Sequence, residues 1–253
     1  VNIFIAIFLG IVQGLTEFLP VSSSGHLILF QRILNLPEDM LLFNIILHIA
    51  TLLAVLIVFR KRIWHLVRHP FNKTNLALIL ATIVTVGFVL LFKDFIDRTL
   101  TARILPITFM ITAIVLFSTT FIKDKSLLPD DKEITYISAL STGLAQGIAV
   151  VPGFSRSGFT ISTALATGTK RERAAEFSFL MSIPIIIAAL VYELISNPSP
   201  TLGPALPLIF AFVTALISGI FAIKFMLKLV KKIKLYWFSL YLIILAIITI
   251  FII

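Results

Sequence analysis

One stretch of this chain occurs twice. GIVQGLTEFLPVSSSG (Gly10 to Gly25) and GLAQGIAVVPGFSRSG (Gly143 to Gly158) align without gaps at an offset of 133 residues. Six of the sixteen positions are identical, where unrelated segments share about one, so the chain is built from two related halves. The shared positions are Gly10/Gly143, Gln13/Gln146, Gly14/Gly147, Ser22/Ser155, Ser24/Ser157 and Gly25/Gly158. The copies differ where chemistry would differ. The first has Glu17, Ser23 and His26 where the second has Val150, Arg156 and Phe159. One half offers a carboxylate, a hydroxyl and an imidazole; the other offers a cation.

With 59% hydrophobic and 13% charged residues in 253, the chain is too apolar for a soluble globular domain and reads as a polytopic membrane protein. Apolar stretches at 40–59, 76–92, 104–122, 174–195, 205–227 and 235–253 each approach the ~20 residues a helix needs to cross the hydrocarbon. The stretch that starts at Val1 is broken by Gly, Gln, Glu, Pro and three serines, which argues against a simple cleavable signal peptide. The absence of cysteine excludes thiolate metal sites, disulfides and a Cys nucleophile. A net charge of +9 raises the question of a nucleic-acid partner, but the basic residues sit between the apolar stretches, where they anchor loops; no nucleic-acid partner is expected.

Neither motif segment makes an ordinary span, because Glu17 or Arg156 in a lipid-facing helix costs ~2.5–3.5 kcal/mol on insertion scales. Irregular backbone at membrane depth is tolerated where protein buries it or where it lines a cavity. Each segment reads as an apolar helix, a Pro/Ser/Gly break (Pro20 to Gly25, Pro152 to Gly158) and a second short helix, which is a re-entrant hairpin. Charge supports this. If both hairpins return to their own side, the loops at 60–73, 123–133, 169–173 and 224–234 share one face with sixteen of the 21 Lys and Arg, against four on the other: Arg32, Lys93, Arg98 and Arg103. Full crossing by both segments gives eight against twelve, no asymmetry. The expected fold is therefore an all-α integral membrane protein with six transmembrane helices plus two re-entrant helical hairpins in an inverted-topology repeat. It forms a single membrane domain over 1–253, with repeats at about 1–122 and 134–253 and both termini outside. The first hairpin enters from outside and the second from inside, so their tips meet near the midplane.

At that meeting point, Gln13 and Glu17 are four apart and share a helix face, where together they hold a cation or orient a water. Glu17 suits a metal ligand, a general base, or both. Ser22, Ser23, Ser24, Gly25 and His26 open the second helix, and a Gly/Ser turn at a helix start presents backbone N–H groups to an anion; serine is equally an ordinary structural N-cap. His26 is close enough in sequence to exchange a proton with a substrate oxygen or with a serine. Arg156 lies between Ser155 and Ser157, with Gly158 beyond, and no acidic residue nearby in sequence. Its partner is an anion, either a phosphate bound bidentately or Glu17 in a salt bridge that pins the tips together. His48 lies inside a span, either lining the cavity or packed; Glu176 and Glu193 lie near helix ends, where interfacial solvation accounts for them, and Lys231, Lys232 and Lys234 read as solvated anchors.

Gln13-x-x-x-Glu17, PVSSSGH and PGFSRSG together resemble the undecaprenyl-diphosphate phosphatase, or bacitracin-resistance, family, over essentially the whole chain. The resemblance implies a plasma-membrane, multi-pass enzyme that removes the terminal phosphate of a polyprenyl diphosphate and so recycles the lipid carrier of cell-wall glycans. The family's motif admits Glu or Gln at the Gln13 position, and the matching catalytic roles fall on Glu17, Ser23, His26 and Arg156. Gln13, Ser22, Ser24, Gly25, Ser155, Ser157 and Gly158 become candidate substrate-binding positions. The mechanism expected is attack by Ser23 or an activated water, with Arg156 stabilising charge, His26 moving protons, and Glu17 activating the nucleophile or binding Mg²⁺ or Ca²⁺. The partners expected are the lipid diphosphate and the membrane, and the site opens to the outer face. The rival reading is a polyprenyl-phosphate flippase or transporter, since inverted repeats are common in that class. For topology, single cysteines at Asn72 and Ser126 should label only from the cytoplasm and one at Ser199 only from outside. Labelling of Asn72 and Ser199 from one side would defeat the inverted repeat.

Overall fold

The computed structural model describes residues 1–37, 40–99, 102–122, 134–196, 204–232 and 234–253, the side chains of 97–99 excepted. The basic loop 123–133 and the labelling positions Ser126 and Ser199 lie outside the described residues. Among the described residues the structure is helical throughout. The elements are α1 (Ile3–Phe18), α2 (Ser23–Ile33), α3 (Leu41–Val58), α4 (Arg60–Arg68), α5 (Lys73–Leu91), α6 (Lys93–Thr99), α7 (Leu105–Ser118), α8 (Tyr136–Ile148), α9 (Arg156–Ala166), α10 (Arg171–Ser196), α11 (Ala205–Lys232) and α12 (Tyr236–Ile252).

All six apolar stretches are helical. Five segments are long and apolar enough to cross a membrane: α3, α5, Ala102–Phe121 containing α7, α10 and α11. The apolar helix α12, at 17 residues, is shorter, as is α1 at 16. The span 60–73, read from sequence as a loop, is instead largely the helix α4, with Leu66 buried and Trp64 and Val67 exposed.

Both motif segments are helix, break, helix. Helix α1 ends because Pro20 disfavours the helical conformation at the residue before it, and Leu19 is extended (φ −73°, ψ 145°). Helix α8 gives way before Pro152, and the chain turns at Gly153, whose φ of +87° suits only glycine. The breaks are shifted relative to the expected Pro20–Gly25 and Pro152–Gly158. Ser22 and Ser155 act as N-caps, so Ser23–Gly25 and Arg156–Gly158 already form the first turns of α2 and α9.

The hairpins are exchanged between the halves. Helix α1 packs along α11, the middle long helix of the second half, and α8 packs along α5, its counterpart in the first. The repeated glycines make this possible. A Cβ at Gly10 would meet the Ala211 carbonyl at 2.6 Å, one at Gly14 would run into Ser218, Ala215 and Gly219, and one at Gly143 would meet the Ala81 carbonyl at 2.6 Å. Helices in lipid associate through such small faces because no hydrophobic gain separates lipid from protein contacts. Hydroxyls at equivalent positions then bond equivalent carbonyls: Thr85 donates to Gly143 (2.9 Å) and Ser218 to Gly10 (3.4 Å). Helices α7 and α12, themselves equivalent by the offset of 133, pair with each other.

One end of the helix bundle gathers the basic segments. Arg62 of α4 pairs with Glu176 of α10 (2.8 Å), and Lys231 of α11 pairs with Glu172 (2.8 Å). Three of the four loops assigned to the basic face are thus neighbours.

Gly14→Val should destabilise the fold by about 1–3 kcal/mol through overpacking against α11. Gly87→Ala, where a Cβ meets nothing within 4 Å, should stabilise α5 by about 0.5–1 kcal/mol. Thermal unfolding of the purified variants in detergent measures both.

Candidate active site

The two breaks are stitched to each other by the repeated serines. Ser157 donates its hydroxyl to the Leu19 carbonyl (3.0 Å), and the Gly153 N–H donates to the Ser24 hydroxyl (3.3 Å). Each backbone break therefore satisfies polar groups of the other, as buried irregular backbone requires. Within each hairpin the capping serine takes the N–H three residues on: Gly25 donates to Ser22 Oγ and Gly158 to Ser155 Oγ, both at 3.1 Å. The Gly/Ser turns were expected to present backbone N–H groups to an anion, and those of Gly25 and Gly158 are instead bonded within the turns. Those donors are used by the caps. The lack of a side chain at Gly25 serves packing, since a Cβ there would strike the Phe109 ring.

Ser22 stands out in its backbone. Its φ is +70°, a left-handed conformation that costs a non-glycine residue of order 1–3 kcal/mol. Its counterpart Ser155 has an ordinary φ of −89°.

Glu17, buried at the end of α1, is the centre of the cluster. Arg156 Nη2 donates to its Oε1 (2.6 Å), and both the Ser23 hydroxyl (2.5 Å) and Gln13 Nε2 (3.0 Å) donate to its Oε2. Gln13 Nε2 also lies 3.3 Å from His48 Nδ1. The second terminal nitrogen of Arg156, Nη1, is buried and has no hydrogen-bond partner among the described residues. A buried guanidinium N–H without an acceptor is costly, and the arrangement leaves a place for an anion's oxygen.

A cavity of about 200 Å³ opens beside this cluster. Glu17, Ser23, Ser24, Ser155, Arg156 and Ser157 face it, together with Ser22, so seven predicted site residues converge. Helix α10 contributes Ile185, Ile186, Ala189 and Leu190 to the lining, together with Glu193. Gln13 does not face the cavity but sits one turn behind Glu17 and orients its carboxylate. Glu176 lies elsewhere, paired with Arg62 and Arg173.

His26 is not brought to Ser23 or to the cavity. Its ring is buried on the far side of α2, with Nδ1 2.6 Å from the Ser22 carbonyl and Nε2 2.6 Å from the Tyr241 hydroxyl of α12. The two rings stack at 5.7 Å with 4° between planes. Sequence proximity to Ser23 misled because three residues along a helix turn a side chain to a neighbouring, not identical, direction.

Gln146 and Thr16, given no site role from sequence, and Glu193, read as a helix-end residue solvated at the interface, all line the cavity. The repeat pointed to Gln146, as the partner of Gln13. For Glu193, the usable signal was its spacing from Ile186, Ala189 and Leu190, which places it on the same face of α10. His48 lines the cavity as well. Among the described residues, no group of three His, Cys, Asp or Glu side chains is gathered in a way that would hold a metal ion.

Five helical segments of spanning length, with two broken helical hairpins that meet at a carboxylate, a hydroxyl and a guanidinium, define a multi-pass membrane protein. The particular family follows from comparison: the chain belongs to the family described as bacitracin resistance protein BacA, whose model matches residues 6–248. It is 45% identical to an undecaprenyl-diphosphatase of Carboxydothermus hydrogenoformans, across 95% of this chain and 93% of that one. Identity is 44% to an undecaprenyl-diphosphatase of Treponema denticola (96% and 94% covered) and 40% to one of Christiangramia forsetii (95% and 94%).

Removing one partner of a buried ion pair strands the other charge, so Arg156→Ala should destabilise the protein by about 3–5 kcal/mol. The double variant with Glu17→Ala should lose less than the sum of the single losses. Thermal melts of all three variants test this, and additive losses would show that the pair is not coupled.

Proposed function

We propose that this protein hydrolyses undecaprenyl diphosphate, or a close polyprenyl diphosphate, to the monophosphate and inorganic phosphate. The observation that carries the reading is the Glu17–Ser23–Arg156 cluster, assembled from both halves beside a cavity lined by both polar and apolar side chains. A lipid diphosphate needs that pairing: fixed positive charge and a nucleophile for the headgroup, apolar side chains for the first isoprene units. The relatives' name, undecaprenyl-diphosphatase, agrees with it. A flippase has no use for a hydroxyl bonded to a carboxylate at 2.5 Å.

In this reading the terminal phosphate takes its place against Arg156, satisfying Nη1. The Ser23 hydroxyl attacks phosphorus while its proton passes to Glu17, to which it already donates. The P–O bond to the prenyl monophosphate breaks, and that monophosphate departs. Water then hydrolyses the phosphoserine to release inorganic phosphate and restore the hydroxyl. Arg156 stabilises the charge that develops on the equatorial oxygens, and the Ser24 and Ser157 hydroxyls hold the two breaks in register around it.

A divalent cation fits this site only in company with substrate. Glu17 is the carboxylate bonded to Ser23 and Arg156, and its oxygens already accept from Arg156, Ser23 and Gln13, while Glu193 also lines the cavity. Mg²⁺ commonly binds through one carboxylate plus substrate phosphates. Bound in that way, with Glu17 as its protein ligand, the ion would neutralise phosphate charge.

The same reading includes one membrane domain of six spans and two re-entrant hairpins with inverted repeats, in the plasma membrane, with the site facing outward. Two features support the orientation. The basic segments meet at the Arg171 end of α10. The cavity-lining residues Ile185 to Glu193 occupy the other end, with Glu193 about 25 Å along the helix from Glu176. The positive-inside rule then sets the cavity toward the outside.

Purified protein with Mg²⁺ or Ca²⁺ should release phosphate from a polyprenyl diphosphate. Ser23→Ala and Arg156→Lys should each lower turnover by well over tenfold, the latter because lysine lacks the planar fork. If Ser23→Ala kept more than about a tenth of activity, only ~1.4 kcal/mol of barrier would depend on the hydroxyl, and water would be the nucleophile. Transport of the lipid without any phosphate release would overturn the phosphatase reading.

A further inference from the structure

We infer that His26 is a positioning residue, anchored by Tyr241, that clamps the Ser22 carbonyl and so holds the strained turn that delivers Ser23 to Glu17. The inference rests on the phosphatase reading for the importance of Ser23, and on geometry for the clamp itself. A carbonyl oxygen only accepts, so the 2.6 Å contact from Nδ1 to Ser22 fixes the proton on Nδ1. In that tautomer Nε2 accepts, and the Tyr241 hydroxyl donates to it at 2.6 Å. Both nitrogens are thereby engaged away from the cavity, which His26 does not line. His26 is 2% exposed, and its ring lies parallel to that of Tyr241 with 5.7 Å between centroids.

The molecule contains its own control. In the second hairpin Phe159 replaces His26 and cannot hydrogen-bond the carbonyl of Ser155. There the capping serine has φ −89° and the first-turn bond from Phe159 N–H to the Ser155 carbonyl is 2.9 Å. In the first hairpin, with the clamp, Ser22 is at φ +70° and the corresponding bond from His26 N–H is longer, 3.3 Å. The left-handed serine and the imidazole occur together. The residue that follows is Ser23, aimed within its own hairpin at Glu17; in the unclamped copy it is Arg156, which reaches across to the other hairpin.

Asparagine and glutamine separate a clamp from a proton carrier. The Asn amide nitrogen takes the place of Nδ1 and keeps a donor for the Ser22 carbonyl, whereas Gln mimics Nε2; neither transfers protons as imidazole does. Turnover of a polyprenyl diphosphate and amide hydrogen exchange over residues 19–26 should be measured for wild type, His26→Asn, His26→Gln, His26→Ala and Tyr241→Phe. The clamp requires His26→Asn to keep kcat within about threefold of wild type with slow exchange, by rescue of one hydrogen bond. His26→Gln and His26→Ala should lose more than tenfold in kcat, with little change in KM and with faster exchange at the turn; Tyr241→Phe should fall between. If His26→Asn is as inactive as His26→Ala while its turn exchanges like wild type, His26 carries a proton and the inference is wrong. Wild-type kcat and exchange in His26→Ala would overturn it as well. Should wild type release no phosphate, the phosphatase reading fails, and the exchange rates alone still decide the clamp. Should His26→Ala not fold, His26→Gln against His26→Asn supplies the same comparison.

Discussion

The ion pair between Glu17 and Arg156 joins residues 139 apart in sequence, and the architecture around it is arranged so that the pair can exist. Two charges removed from water repay their desolvation only when their remaining lone pairs and protons are also satisfied. Here Ser23 and Gln13 complete the carboxylate, while Nη1 of the guanidinium has no acceptor among the described residues. A complete ion pair would hold the tips together and bind nothing; an unpaired arginine would draw any anion but leave the free protein weakened.

Bringing those side chains together depends on features with no chemistry of their own. Helices α1 and α8 can lie against α11 and α5 only because glycine removes the Cβ that would strike a facing carbonyl. Close approach then allows Thr85 and Ser218 to bond the glycine carbonyls. Ser24 and Ser157 perform the same service at the breaks, where a helix cannot continue and its backbone groups need partners from the other hairpin. Apart from Gln13/Gln146, the identities shared by the two copies fall on this scaffold, and the differences at Glu17, Ser23 and Arg156 fall on the cluster.

That division explains how much could be read from sequence. The repeat and the six apolar stretches were legible; for Arg156, with no local counter-charge, the sequence left a bound phosphate and Glu17 open as partners, and the structure pairs it with Glu17. The dual use of serine was less so: Ser22 and Ser155 both line the cavity and cap helices, and only the folded geometry shows that Gly25 and Gly158 donate to them. The direction of His26 was not legible, since it is set by Tyr241, 215 residues away. Glu193 was misassigned because a carboxylate near a helix end looks the same from sequence whether it meets interfacial water or a cavity.

The exchange of hairpins between halves has a consequence for how the chain is made. The glycine face of α1 is synthesised first, yet the hydroxyls that cover it, Thr214 and Ser218, follow 207 and 208 residues after the carbonyls they bond. At about 5–20 residues per second, that interval is of order 10–40 s. For that time a half-buried helix carrying Gln13 and Glu17 lacks its packing partner, and until Arg156 is made, 139 residues after Glu17, it lacks its cation as well. Biogenesis must therefore shelter an incomplete first half, and the order of insertion, rather than the stability of any one helix, is where a variant of this fold is most exposed to failure.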